Sequence, residues 1–152
     1  MDRNILNLVR TARVGRLATA TTELQPYLTP VVFVLHHNSV FIPLDEKPKN
    51  IPANRLKRVK NIRENPKVSF LVDHYEEDWE KLWYIILIGH AVILSQNAKH
   101  KNTKKELSRV RNMLFEKYKQ YTKIGIGCLL IKIKISKTIH WKFSKNTKNA
   151  AV

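Results

Sequence analysis

The sequence has little of what cross-linked, metal-caged or membrane-spanning proteins need. A single cysteine, Cys128, excludes an intramolecular disulfide and a cysteine cage for a metal, and the six histidines show no ligand spacing. The longest apolar run, Leu82 to Leu94, is interrupted by Gly89 and is shorter than the about 20 residues of a membrane-spanning helix. Residues Met1 to Arg13 lack the apolar core and cleavage site of a signal peptide. These absences predict a cytoplasmic protein with no membrane contact and no metal site.

Acidic residues are also scarce. Asp and Glu number 12 against 28 Lys and Arg, which gives a formal net charge of +16. Such an excess attracts phosphate-bearing or polyanionic partners and says nothing about the fold. The sequence shows no internal repeat and no linker, so residues 1–152 are expected to form a single domain.

Hydrophobic patterning predicts short strands separated by polar turns. A bend or bulge is expected at Gly89, and the last two strands are expected to be separate. The predicted strands are Leu17–Thr21, Leu28–Leu35, Val40–Leu44, Lys67–Val72, Leu82–Leu94, Leu129–Ile135 and Ile139–Phe143. This pattern predicts a mostly β fold with six or seven antiparallel strands.

Apolar residues at helical spacing predict three flanking helices. The first spans Ile5 to Ala12 and is ended by Gly15, and the second begins at Pro52 and ends before Pro66. The third, Glu106–Tyr121, has a lysine-rich outer face.

The segment from Asp45 to Pro66 concentrates basic side chains in one loop and one helix. On a helical wheel, Arg55 falls within the apolar arc and Arg58 on its edge, whereas Lys57 and Lys60 face water. An unpaired charge in a buried arc is costly, and a phosphate at the positive end of the helix would supply a partner. The segment therefore predicts a phosphate site.

Simple ion pairing is the alternative explanation of these arginines. The acidic loop residues Glu76, Glu77 and Asp78 offer carboxylates to Arg55 and Arg58. An arginine fork can bind either phosphate or carboxylate oxygens in pairs. The residues alone leave both interpretations open.

Three stretches, Ala12–Pro30, LDEKPKN at Leu44–Asn50 and Leu56–Trp83, resemble the pyridoxamine 5'-phosphate oxidase-like split β-barrel proteins. The most distinctive piece is VDHYEEDW at Val72–Trp79, whereas the asparagine–proline pattern at Asn61–Pro66 is more widespread. The chain is most similar to the branch of probable F420-dependent oxidoreductases. The resemblance covers nearly the whole chain and implies a split barrel that forms a homodimer with two cofactor sites in the dimer groove.

The resemblance also implies site residues, carried over one by one. Arg58 matches the basic phosphate contact, with Lys47, Lys49, Arg55 and Lys57 as neighbouring basic positions. The cofactor ring would lie along strand backbone at Leu28, Thr29, Pro30 and Val31 and at the adjoining strand end Pro43, Leu44 and Asp45. Trp79 and Trp83 match aromatic positions able to cover the ring from the partner chain. Their spacing with Leu82 also fits one face of a helical turn, so a core or dimer contact is the alternative for both.

Two classes of function follow. The first is an oxidoreductase in which F420 or FMN carries hydride to a small molecule, so that no catalytic side chain is required. F420 is preferred because the lysines around the phosphate position suit its acidic tail. The second is a binding protein, either an inactive FMN binder or a basic protein whose lysine-rich segments 99–105, 117–123 and 132–148 contact nucleic acid. Nucleic acid is not expected, because the alternating patterns place these lysines toward solvent.

Overall fold

Seven strands and four helices make up the part of the chain that the computed structural model describes, residues 2–44, 52–95, 97 and 99–143. The helices are α1 (Arg3–Thr11), α2 (Lys57–Glu64), α3 (Lys101–Lys117) and α4 (Tyr121–Ile124). The strands are β1 (Gly15–Ala20), β2 (Pro26–Val31), β3 (Val34–His36), β4 (Ser39–Leu44), β5 (Lys67–His74), β6 (Trp83–Ser95) and β7 (Leu129–Lys142). The prediction of a mostly β fold with flanking helices is confirmed.

The strands form one antiparallel sheet in the order β2-β1-β5-β6-β7-β4-β3. The two outermost strands in this order, β2 and β3, follow each other in the chain and are joined by Val32 and Phe33. The prediction of one strand from Leu28 to Leu35 is therefore wrong. The sheet curls so that a single polypeptide turn connects its two ends.

The sheet separates two hydrophobic clusters. Adjacent residues of β4 show this, because Ile42 belongs to the cluster that also holds Val9 of α1 and Val59 of α2, whereas Phe41 packs with Leu114 of α3. One face of the sheet thus carries α1 and α2, and part of the other face is covered by α3 and α4.

Tyr118 holds the corner between β2 and β3. Its buried hydroxyl accepts a hydrogen bond from the Phe33 backbone N–H (3.1 Å) and lies within hydrogen-bond distance of the carbonyls of Phe33 (2.9 Å) and Arg13 (2.8 Å). Burial raises the pKa of this phenol, so it stays protonated and keeps its donor. The side chain satisfies backbone groups at the place where the predicted continuous strand breaks.

Helix boundaries differ from the predictions where the pattern carries no apolar signal. The first helix ends at Thr11, and Gly15 begins β1 rather than ending the helix. The predicted helix Glu106–Tyr121 begins earlier, at Lys101, and stops at Lys117, because Tyr118 leaves helical geometry at φ −125° to reach the β2–β3 corner. Among the described residues, no helix combines the length and the apolar character needed to cross a membrane.

The two predicted closing strands are one strand with a bulge. β7 runs from Leu129 to Lys142, and its register against β6 shifts between Ile88 and Gly89. Ile88 pairs with Lys137 and Gly89 with Ile135, so Ser136 is the extra residue of the bulge, and its hydroxyl donates to the Ile88 carbonyl (3.1 Å). The bulge predicted at Gly89 is confirmed, and it explains why the alternating pattern loses phase without ending the strand.

Candidate cofactor site

The basic start of α2 differs from the predicted continuous helix. Ala53–Arg55 forms a separate 3₁₀ turn, and Leu56 is extended at φ −59° and ψ 140° before α2 begins. The helical wheel does not extend across that break. The prediction that Arg55 lies in a buried arc is therefore wrong, and Arg55 is exposed.

The wheel holds within α2 itself. Arg58 is half-buried, as its position on the edge of the apolar arc predicts, while Lys57 and Lys60 are exposed. The first turn of α2 holds no acidic residue, and Leu56 at the N-cap supplies no side-chain acceptor. An anion is favoured at such a helix start by the dipole, the backbone amides and the neighbouring cations together.

Ion pairing does not explain Arg55. The acidic loop instead pairs locally, since Lys81 Nζ lies 3.2 Å from Asp78 Oδ2 and 3.5 Å from Glu76 Oε1. The hydrogen bond to Asp78 and the nearby carboxylates raise the pKa of Lys81. Arg55 forms no ion pair within the described part of the chain, so it remains available to an external anion.

Asn61 fixes the position of α2, a role that the sequence did not reveal. Its side chain is 1% exposed, and its Nδ2 donates to Thr19 Oγ1 of β1 at 3.0 Å. One turn later, Asn65 Oδ1 accepts from the Lys67 backbone N–H (3.2 Å), which joins the end of the helix to β5. The asparagine–proline pattern is thus structural, and it holds the basic helix start against the sheet.

The predicted ring-binding strand is β2, which among the described strands is an edge strand paired with β1 alone. Proline lacks an N–H, so Pro26 and Pro30 fit a strand whose outer backbone edge is free. Leu28 is 62% exposed and Pro30 is exposed, whereas Val31 is buried.

Thr29 carries a buried polar atom with no partner. Thr29 pairs with Leu17, and its Oγ1 is shielded from solvent without forming a hydrogen bond. Buried hydroxyls are ordinarily satisfied, and leaving one unpaired costs about 1–3 kcal/mol. A polar ligand atom beside β2 would remove that cost.

The second predicted ring contact lies on β4. Pro43 and Leu44 are buried there and pair with Leu130 and Leu129. Because the sheet curls, the short strand β3, which pairs with β4 and is joined to β2 by Val32 and Phe33, lies between β2 and β4 at this corner. Asp45, Lys47 and Lys49 lie outside the described residues.

The two tryptophans do not share a helical face. Trp79 begins a 3₁₀ turn that Asp78 caps and is 65% exposed, whereas Trp83 begins β6 and packs partly against the core. Leu82 between them is extended at ψ 140°, which ends the helical spacing. The helical-turn prediction is therefore wrong.

Trp83 contributes to an aromatic cavity of about 440 Å³. Its ring stacks on His74 with centroids 6.2 Å apart, and Tyr84 stacks on Trp141 at 6.0 Å. Both pairs line the cavity. Trp79 does not line it.

The aromatic cavity adjoins an apolar sheet face that no described element covers. Cross-strand pairs continue this face from β5 to β7, because Leu71 pairs with Ile86, and Ile86 pairs with Ile139. Leu28, Tyr84, Ile139 and Trp141 are each more than a third exposed. We call this surface the open face; its members are Ala18, Leu28, Leu71, Tyr84, Ile86, Ile139 and Trp141. Arg16 and Asp73 form an ion pair at its margin.

A curled antiparallel sheet whose end strands are joined directly, with helices on both faces, is a split β-barrel. The family model of pyridoxamine 5'-phosphate oxidase matches residues 1–142, and the chain belongs to that family. The resemblance seen in the sequence is thereby confirmed. No curated protein sequence matches the chain.

Solved structures share the fold at low sequence identity. A FAD-binding protein from Mesorhizobium loti is 19% identical with a TM-score of 0.66, and the match covers 90% of this chain and 89% of that one. A conserved hypothetical protein from Mycobacterium tuberculosis is 18% identical with a TM-score of 0.70, covering 99% and 94%. The heme storage protein HutZ from Vibrio cholerae is 12% identical with a TM-score of 0.68, covering 93% of each chain.

The described residues contain no group of three or more His, Cys, Asp or Glu able to hold a metal ion.

Proposed function

We propose that the protein is an oxidoreductase that binds a flavin-type cofactor, F420 or FMN, with the cofactor phosphate at the start of α2. The observation that carries the proposal is the half-buried Arg58 in a first helical turn without acidic residues or a side-chain cap. Arg55 and Lys57 add exposed positive charge around it. A phosphate is the ligand best matched to this arrangement.

Two features of β2 support a ring beside it. The strand has an unpaired backbone edge, and the Thr29 hydroxyl is buried without a partner. Both suit a planar ligand with polar atoms along its rim. When bound, a flavin-type group supplies the hydride chemistry, and this chain's residues bind it, orient it and exclude water. The FAD-binding protein from Mesorhizobium loti supports a flavin, whereas HutZ makes heme the competing ligand.

A homodimer is part of the proposal. The open face exposes aromatic and aliphatic side chains on adjacent strands, with the polar residues Arg16, Ser69 and Asp73 among them. Monomeric proteins rarely leave a large apolar patch in water. A second copy, related by a two-fold axis, would cover the patch with the same patch. The partner's exposed Trp79 would then be available to a cofactor in the groove between the copies.

Nucleic-acid binding is less well supported. Two lysines in the segments proposed for it are engaged within the protein, because Lys132 pairs with Glu106 and Lys117 Nζ lies 4.3 Å from the centroid of the Phe33 ring. Absorbance of the purified protein separates the ligands. A band above about 350 nm with flavin fluorescence supports the proposal, whereas the intense heme band or nucleic-acid absorbance alone contradicts it.

Arg58→Ala is expected to weaken cofactor binding by about 1.5–3 kcal/mol, the range for a hydrogen bond to a charged group. Lys60→Ala is the matched control, because Lys60 lies on the same helix and is exposed. Fluorescence titration of each variant with FMN and with F420 measures the difference. Equal losses in the two variants would mean that general positive charge, and not the position of Arg58, holds the phosphate.

F420 is expected to bind more tightly than FMN, with the greater salt dependence. Its phosphodiester is followed by an acidic lactyl-oligoglutamate tail, and each exposed pair of a tail carboxylate with a lysine such as Lys57 adds about 0.2–1 kcal/mol that salt weakens. Competitive titration at low and high salt measures both quantities. FMN binding at least as tight, with the same salt dependence, would show that FMN is the better ligand.

A further inference from the structure

A basic cavity, separate from the aromatic cavity, lies between the β3–β4 turn and α3. Its volume is about 400 Å³, and it is lined by His37, Asn102, Thr103, Lys105, Glu106 and Arg109. It shares no lining residue with the aromatic cavity and none with the start of α2. The cofactor proposal therefore does not account for it.

The carboxylates of the described residues do not balance the positive charge of this cavity. Among the described residues, Glu106 is the one carboxylate that lines it, and both its oxygens accept hydrogen bonds from Lys132 Nζ at 2.8 Å. Lys105 and Arg109 form no ion pair in the described part of the chain. Two cations therefore face the cavity without a counter-charge.

The neighbouring histidines lie in the same excess of positive charge. The rings of His36 and His37 lie 4.0 Å apart. Partial burial lowers the pKa of His36, and the nearby charges of His37, Arg109 and Lys132 lower it further against the opposing effect of Glu106. Groups from β3, from the β3–β4 turn, from α3 and from β7 thus place like charges around one cavity.

We propose that this cavity binds a small phosphate-bearing anion of the di- or oligophosphate class. Arg109 offers a planar fork for phosphate oxygens, Lys105 adds a second cation, and Asn102 and Thr103 supply neutral hydrogen-bonding groups. The first turn of α3 contains no acidic residue and no side-chain cap, which adds favourable backbone amides. Several cations around one opening suit an anion with several charges better than a single carboxylate.

The test is an NMR titration of the histidine rings with inorganic pyrophosphate. The ring signals of His36 and His37 are expected to shift on binding while those of the distant His74 do not. Bound anion stabilises the imidazolium form, so the lowered pKa of His36 is expected to rise, and affinity is expected to increase as the pH falls through it. The readout is specific to this cavity and independent of cofactor binding and of turnover.

Three variants sharpen the experiment. Arg109→Gln is expected to weaken pyrophosphate binding by about tenfold or more. Glu106→Gln is expected to strengthen it, because Lys132 is released and a repelling carboxylate is lost. Lys123→Gln, which removes an exposed charge on α4, is the control and is expected to have little effect.

Three outcomes would overturn the proposal. One is a shift of His36 and His37 no larger than that of His74. Another is equal weakening by Arg109→Gln and Lys123→Gln, which would indicate general charge attraction. A third is a response to single-stranded DNA and none to pyrophosphate, which would make the surface part of a nucleic-acid interface.

Discussion

If the proposed homodimer forms through the open face, Ile139→Glu is expected to convert it into a monomer at micromolar concentration. Ile139 is 37% exposed in the single chain and lies in the open face beside Ile86. In a two-fold interface the new carboxylate would be buried without a partner, a cost that we expect to raise the dissociation constant about a hundredfold or more. The single chain should keep its fold, because the side chain already reaches solvent. Sedimentation velocity measures the change directly.

Val92→Glu is the matched control for that experiment. Val92 is also an exposed β-branched residue of the sheet, at 50%, but it pairs with Lys132 on the part of the sheet that α3 borders. It is expected to leave the dimer intact. If wild-type protein sediments as a monomer, the dimer and a cofactor site shared between copies both fail. If Val92→Glu dissociates the dimer and Ile139→Glu does not, the interface lies elsewhere.

The sequence predicted strands well where an apolar run or an alternating pattern stops at a polar turn. β4 and β5 agree closely with the prediction because their apolar residues alternate or run together up to a clear polar turn. It failed where a contact distant in the chain sets a boundary. The hydroxyl of Tyr118, 85 residues from Phe33, binds backbone groups that a continuous strand would have used. No local pattern contains that information.

The burial of charged side chains also could not be predicted from the local sequence pattern. Lys117 belongs to a lysine-rich helix face that the pattern placed in water, yet its Nζ lies against the rings of Phe33 and Tyr118. Burial, and then the charge of Arg13, lowers the pKa of Lys117 to about 8. A lysine can cover apolar surface with its stem, so the pattern of residue types does not show which way it turns.

The candidate site was predictable to the extent that it depends on helix geometry. Arg58 was correctly placed because the wheel applies within α2, whereas Arg55 was misplaced because the extended Leu56 breaks the helix before it. The structural role of Asn61 could not be predicted, because the sequence does not distinguish a buried asparagine from a surface one until its partner Thr19 is known. The unpartnered hydroxyl of Thr29 is likewise a property of the packed structure.

Gly89→Ala is expected to destabilise the fold by about 2–4 kcal/mol, because the clash it creates is with backbone. A Cβ at Gly89 would lie 2.2 Å from the Lys134 carbonyl oxygen in the bulge between β6 and β7.

Gly15→Ala is the comparison, since its Cβ would instead meet the Phe70 ring at 2.1 Å. Trimming that ring with Phe70→Leu should recover part of the stability lost in Gly15→Ala. No comparable trimming of a side chain is expected to rescue Gly89→Ala, because the obstructing atom is a carbonyl oxygen that β7 cannot move without giving up its pairing. Urea denaturation of the single and double variants measures these differences. A loss below about 1 kcal/mol for Gly89→Ala would show that the bulge adapts and that the glycine is not required there.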